Sequence, residues 1–250
     1  MAWWTLFKRE LSSYFHSGVA YVVLFGSAVA QGIQFLFISS MVMQNHYTQQ
    51  SVMQVFFVWP LFWLLLLVQI PLITMRVFAE EQKLGTIEML MTAPVTDWDV
   101  VIAKYLGALV FFLVLWIPIT LDLVALQLFS SPPPPVYWSQ VGLTALTITL
   151  IGSFYVSIGV FTSALTRNQI IAAVLCFALL FFTFGVSLLH FVQNLDDSVQ
   201  AAISYVSSPE HLTNAGLGVF DSRPLVYYIT ASVLMLYLAK SVMQSRRLRG

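Results

Sequence analysis

The sequence predicts an all-α membrane protein. It has six transmembrane helices, an N-terminal amphipathic interfacial helix, a short cytoplasmic helix between the second and third spans, and short outer helices between the fifth and sixth. Three observations carry this prediction. Of 250 residues, 59% are hydrophobic and 9% charged, with mean hydropathy +0.84; soluble domains carry about 25% charged residues, so this chain cannot cover a water-facing surface with ionic groups. Apolar runs long enough to span a bilayer, about 20 residues each, recur along the chain. With six spans, ten of the eleven lysines and arginines fall on one side: Lys8, Arg9, Arg76, Lys83, Lys104, Arg167, Lys240, Arg246, Arg247 and Arg249. Only Arg223 falls on the other. Lysine and arginine bias sets orientation, so both termini and the segment 76–95 are expected to be cytoplasmic.

Residues 2–16 are too polar to span. At helical spacing Trp3 or Trp4, Phe7, Leu11 and Tyr14 or Phe15 gather on one side, with Lys8, Arg9 and Ser12 leaning away. That pattern describes residues 1–17 as an amphipathic helix in the headgroup layer, anchored by tryptophan. Polar residues from Thr5 to Ser13 also interrupt what a cleavable leader would need.

The spans follow at 19–41, 55–75, 100–129, 138–165, 170–192 and 224–243, all within one transmembrane domain covering 1–250. Pro71 is expected to kink the end of the second span, because proline removes a helix donor. Thr96-Asp97-Trp98-Asp99 matches a helix start signal before the third. The run SPPPP at 131–135 makes a stiff turn into the fourth span. Gly142, Gly152 and Gly159 with Ser153 and Ser157 mark close helix packing along it. Residues 193–223 are too polar to span once and read as two short helices or a re-entrant pair at the outer surface. Ser208-Pro209-Glu210 there supplies a cap, a first-position proline and a first-turn acid. Val199, Ala202, Ile203 and Val206 mark an apolar face.

The stretch RVFAEEQKLGTIEMLMTAPV, 76–95, joins spans two and three. Arg76 and Glu80, and Glu80 and Lys83, stand at helical pairing distances. Gly85 can take a left-handed backbone and end that helix. Thr86 can cap a new one with Glu88 in its first turn, presenting Ile87, Leu90 and Met91 on one side until Pro94 closes it. On residues alone, a solvated loop with surface ion pairs and a rigid lever between two spans fit this stretch equally.

The block from Glu80 to Val95 resembles the EExxxGTxExLLTxPV pattern of ABC-2 type transporter permeases, with Met89-Leu90-Met91 where leucines are usual. It is most similar to the gliding-motility-associated and nitrous-oxide-reductase-maturation permeases. Lys104 at the start of the third span, Ser208-Pro209-Glu210-His211-Leu212, and Gly218-Val219-Phe220-Asp221-Ser222-Arg223 fit as well, so the likeness covers nearly the whole chain. The resemblance implies a coupling helix near 85–92 that docks in a groove of a separate ATP-binding cassette subunit. Glu80, Glu81 and Glu88 would supply contact or order the bend, Gly85 and Thr86 its shape, and Ile87, Leu90, Met91 and Pro94 the docking helix. It further implies a bacterial inner-membrane exporter that works with a second permease copy or a paralogue, and with an extracytoplasmic accessory protein as a further candidate partner.

No phosphate-cradling G-x-x-x-x-G-K-[ST] occurs, so ATP and Mg are assigned to the partner ATPase and no cofactor to this chain. The net charge of zero argues against a nucleic-acid partner. Cys176, alone in an apolar run, reads as a small hydrophobe and excludes an internal disulfide. His16, His46, His190 and His211 are widely spaced and suit interfacial hydrogen bonding rather than metal. Gln31, Gln34 and Asp122 make a candidate intramembrane polar site. Asp122 lies about 20 residues into its span, or roughly 30 Å at helical rise, where water or Arg223 can also satisfy it. The polar residues of the first and fifth spans are expected at the seam with a second copy. An ion-gradient-driven transporter would want broken helices and internal repeats, and an intramembrane enzyme a nucleophile and base at one depth; the elbow explains more residues than either.

Overall fold

The computed structural model describes residues 2–43, 56–57, 59–86, 95–129, 137–189 and 196–247. Among them no strand occurs, and the helices are α1 (Ala2–Phe15), α2 (Gly18–Met43), α3 (Pro60–Thr74), α4 (Ala79–Leu84), α5 (Asp97–Val114), α6 (Ile117–Phe129), α7 (Trp138–Leu165), α8 (Gln169–Leu188), α9 (Asp197–Val206), α10 (Ser208–Gly216) and α11 (Arg223–Arg247). Six stretches are long and apolar enough to cross a membrane: α2, α3 with α4, α5 with α6, α7, α8 and α11.

The bundle is built around α7, which packs against α3, α4, α5, α8, α10 and α11. Small residues allow this. A Cβ at Gly152 would lie 2.0 Å from the Phe112 ring, and one at Gly159 would lie 2.1 Å from Thr74 Oγ1. Gly142 meets nothing within 4 Å and has no such role. On the other side Ser153 and Ser232 hydroxyls, 3.1 Å apart, join α7 to α11. Gly152→Ala is therefore expected to overpack the core by about 1–3 kcal/mol, read as a lower unfolding midpoint in detergent. Gly142→Ala should leave that midpoint in place.

Two spans are interrupted, and in both the freed backbone finds a partner, as a membrane interior demands. The third breaks at Leu115–Trp116, just before Pro118, whose ring cannot donate. Gln31 Nε2 donates to the Leu115 carbonyl at 2.7 Å. The second breaks after Thr74, three residues past Pro71, so the proline does not itself mark the break. The start signal of α5 is present as a full capping box between Thr96 and Asp99.

Helices α9 and α10 are two short helices that meet at Ser207. Their junction is buried, with Ser207 at 1% and Ser208 at 3% exposure. Tyr155, well along α7, and Tyr228 of α11 both donate to Ser208 Oγ, at 3.3 and 3.0 Å. Ser208, expected as the cap, lies inside the helix with its hydroxyl in this hydrogen-bonded knot, and Ser207 holds the N-cap position without a side-chain capping bond. The apolar face expected on α9 is also narrower: Ile203 is buried but Val199 is 45% exposed.

His211 Nδ1 lies 2.9 Å from the Tyr228 hydroxyl. Burial holds its imidazole below the usual value, against the opposing pull of Glu210 and Asp221. A folded value below the unfolded one of about 6.5 means the stability contribution is whole above that pH. It is lost as pH falls from there through the folded value. The unfolding midpoint should fall as pH drops below the free imidazole value of about 6.5, and His211→Asn should flatten that limb.

Candidate functional site: the charged elbow

The elbow begins where α3 stops. Past Thr74 the chain turns through Met75–Phe78, and one side chain from α7 satisfies the opened backbone. Ser163 Oγ accepts from the Phe78 and Ala79 N–H groups at 3.0 and 3.1 Å and donates to the Met75 carbonyl at 3.1 Å. A hydroxyl has one donor and two acceptor sites, so Ser163 is fully used. Tyr14 of α1 donates to the Ile73 carbonyl at 3.2 Å and stacks on Phe111 with centroids 5.0 Å apart. Burial, reinforced by Glu10, raises its phenol above the usual tyrosine value and keeps it a neutral donor.

Helix α4 then carries the charges. Glu80 and Glu81 occupy its first turn and Lys83 its last, which suits the helix dipole. Gly85, at φ 73°, ends it in the left-handed conformation that glycine alone adopts freely. Arg76 Nε pairs with Glu80 at 2.9 Å, and its Nη1 donates to Ser17 Oγ at 2.5 Å. The expected Glu80–Lys83 pair does not form among the described residues, since Arg76 holds Glu80 and Lys83 stands exposed.

Glu81 turns inward. Its Oε1 lies 2.9 Å from Lys104 Nζ, and the same ammonium meets Glu10 Oε2 of α1 at 3.2 Å. Lys104 is 2% exposed and also sits 5.3 Å above the Phe78 ring. The approach of α1 to α5 is set by Gly107, where an added Cβ would come within 3.2 Å of Glu10 Cβ. On the opposite flank Gln82, also buried, donates to the Ala164 carbonyl at 3.1 Å and accepts from Arg246 Nη1. Arg246 Nη2 donates to the Leu165 carbonyl at 2.8 Å. The N-terminal helix and the end of the last span thus meet the elbow at one end of the bundle, which is the end the lysine and arginine count groups together.

Among its described residues this arrangement pairs no nucleophile with a base. It is a bent, wired joint between two spans. The family model for ABC-2 family transporter protein matches residues 12–244. The chain belongs to the ABC-2 transporter family. No curated protein matches it significantly. The ABC-2 assignment makes the chain a multi-pass membrane permease of an ABC transporter that works with an ATPase subunit.

Among the elbow residues singled out from sequence, Glu80, Glu81, Gly85 and Thr86 are seen in the ABC-2 permease. Thr86 Oγ1 points back to the Glu81 carbonyl at 3.4 Å. Ile87, Glu88, Leu90, Met91 and Pro94 lie outside the described residues.

The three intramembrane polar residues are not assembled into one site. Gln31 and Gln34 are buried inside the chain, tied to the Leu115 and Phe56 carbonyls at 2.7 and 2.6 Å. Both are buried within the chain rather than open to a seam with a second copy, and Gln31 serves the break in the third span. Asp122 has no hydrogen bond to either glutamine among the described residues, and its Oδ2 is buried without a partner there. Arg223 does not pair with it; the Arg223 N–H donates to Asp221.

Sequence reasoning missed four participants: Glu10, Gln82, Ser163 and Arg246. For Glu10 a signal existed. It falls one turn from Leu6 and Tyr14, so it is a carboxylate within the apolar stripe of an amphipathic helix.

Proposed function

We propose that this ABC-2 permease receives its ATPase subunit on the segment after Gly85 and converts ATP-driven movement into rearrangement of the bundle. On this reading ATP and Mg stay on the partner, and both termini and the elbow face the cytoplasm of a bacterial inner membrane. Export is the favoured direction. The gliding-motility and nitrous-oxide-reductase-maturation subgroup is the nearest setting, on the strength of the 80–95 block and the 208–212 and 218–223 stretches. An outer accessory protein is compatible with that setting.

The observation that carries the proposal is the wiring of α4. Ser163 and Ala164 of α7, Arg246 of α11 and Lys104 of α5 bind the elbow directly, and Arg9 of α1 lies 3.8 Å from Glu81. A push on the segment beyond Gly85 therefore reaches four other helices through short polar contacts. A second copy of the chain, or a paralogue, belongs to the same reading, and the faces of α2, α8 and α11, of whose span windows only 22% is buried, are open to it or to lipid.

Gly85→Pro and Glu88→Lys test this. In the complex reconstituted with its ATPase, both should reduce permease-stimulated ATP hydrolysis and transport by tenfold or more, with membrane insertion unchanged. Wild-type stimulation in both variants would remove the elbow's role.

A further inference from the structure

A cavity of about 250 Å³ opens between α1, α2 and the elbow, and no step of the coupling uses it. Its two halves differ in chemistry. One wall is apolar, from Ala20 and Val23 of α2, Leu72 of α3 and Phe111 of α5. The opposite rim is polar and charged, with Arg76, Glu80, Glu81, Glu10, Lys104 and Ser13. Apolar wall and ionic rim in one half-open space fit an amphiphile lying at the membrane boundary.

The rim also specifies the headgroup. Its three carboxylates are balanced by Arg76, Lys104 and the adjoining Arg9, which pairs with Glu10 and Glu81 at 3.1 and 3.8 Å, so the rim has no excess positive charge to hold an anionic headgroup. Lys104 is committed to Glu10 and Glu81. Glu81 Oε2 is buried and has no hydrogen-bond partner among the described residues, although its sister oxygen is paired. A buried carboxylate oxygen left bare is costly; Glu81 lines the cavity, and a small turn of its carboxylate presents that oxygen to a donor there. Arg76 spends three of its N–H groups on Glu80 and Ser17, and a guanidinium has five. Two donors remain for an anionic group a few ångströms away. One oxygen seeking a donor and one guanidinium with donors to spare match a zwitterion.

We infer that this cavity is a binding site for a phospholipid with a primary-ammonium headgroup, a phosphatidylethanolamine. Its ammonium donates to Glu81, its phosphate lies against Arg76, and the first carbons of its chains lie along Ala20, Val23 and Leu72. The bound lipid ties α1 to the elbow from the side that the Lys104 bridge leaves open. The site stands on the cavity alone and does not depend on the ATPase contact.

The test uses the full chain, delipidated in detergent and titrated with phosphatidylethanolamine, phosphatidylcholine or phosphatidylglycerol, with bound lipid counted by native mass spectrometry. Phosphatidylethanolamine should bind roughly tenfold tighter than the other two, the effect of one charge-assisted hydrogen bond. Phosphatidylcholine lacks the N–H donors, and phosphatidylglycerol brings uncompensated negative charge. Glu81→Gln should erase the preference, and Ala20→Trp, which fills the apolar half, should remove the tight site without touching a charge. Glycerophosphoethanolamine, the headgroup without chains, should not displace the lipid. Equal binding of the three lipids overturns the site. So does a preference that survives Ala20→Trp, which decides the matter even if Glu81→Gln fails to fold, and so does displacement by the free headgroup.

Discussion

Lys104→Met should destabilise the permease by roughly 3–5 kcal/mol, the cost of removing one partner from a buried ionic group. The ammonium is 2% exposed and lies between two carboxylates, Glu10 at 3.2 Å and Glu81 at 2.9 Å. Methionine fills the same volume, so the loss is electrostatic rather than steric. It leaves two carboxylates facing each other where water is scarce, with only the more exposed Arg9 guanidinium beside them. The triple variant Lys104→Met with Glu10→Gln and Glu81→Gln should recover most of that loss, because neutral amides leave no stranded charge. Equilibrium unfolding in detergent measures both. A single substitution costing less than about 1 kcal/mol would place this bridge among ordinary surface pairs.

Ser163→Ala should have the second largest effect. The hydroxyl serves the N–H groups of Phe78 and Ala79 and the carbonyl of Met75, and the side chain is fully buried. Each buried backbone group left unpaired costs about 1–3 kcal/mol, so a loss of about 3 kcal/mol or more is expected. The damage is local to the bend, and coupling should fall with it. Ser163→Thr keeps the hydroxyl and should retain most of both properties. Hydrogen exchange at Phe78 and Ala79 reports the bend directly: protection lost in the alanine variant and kept in the threonine one supports the role given to Ser163.

The fold was largely legible because a bilayer imposes a simple rule on sequence. Long apolar runs must be helices, and Thr96 and Asp99 or Gly85 punctuate them by local chemistry that needs no tertiary knowledge. The candidate site was legible only in its outline. Arg76 and Glu80 sit one helical turn apart, so their pairing is written in the spacing. The partners of Glu81 and Gln82 come from residues 9, 104, 164 and 246, and no local pattern joins positions so far apart. Gln31 and Gln34 misled for the opposite reason. Two polar residues in an apolar span suggest a route or a seam, but here they satisfy carbonyls of neighbouring segments. Backbone accounting is invisible until the breaks are located. Lys83 shows the same limit on a smaller scale, since spacing allows its pairing with Glu80 but Arg76 takes the carboxylate.

The central claim is that the ATPase subunit docks just beyond Gly85. Cys176 is the sole cysteine and is buried, so replacing it with alanine clears the background for a single Thr86→Cys. With a short bifunctional thiol-to-amine reagent in the native membrane complex, that cysteine should give a covalent adduct with the ATPase subunit. An equivalent cysteine at Val219, just past α10, should give none. Adducts at Val219 and none at position 86 would contradict the docking of the ATPase on the elbow.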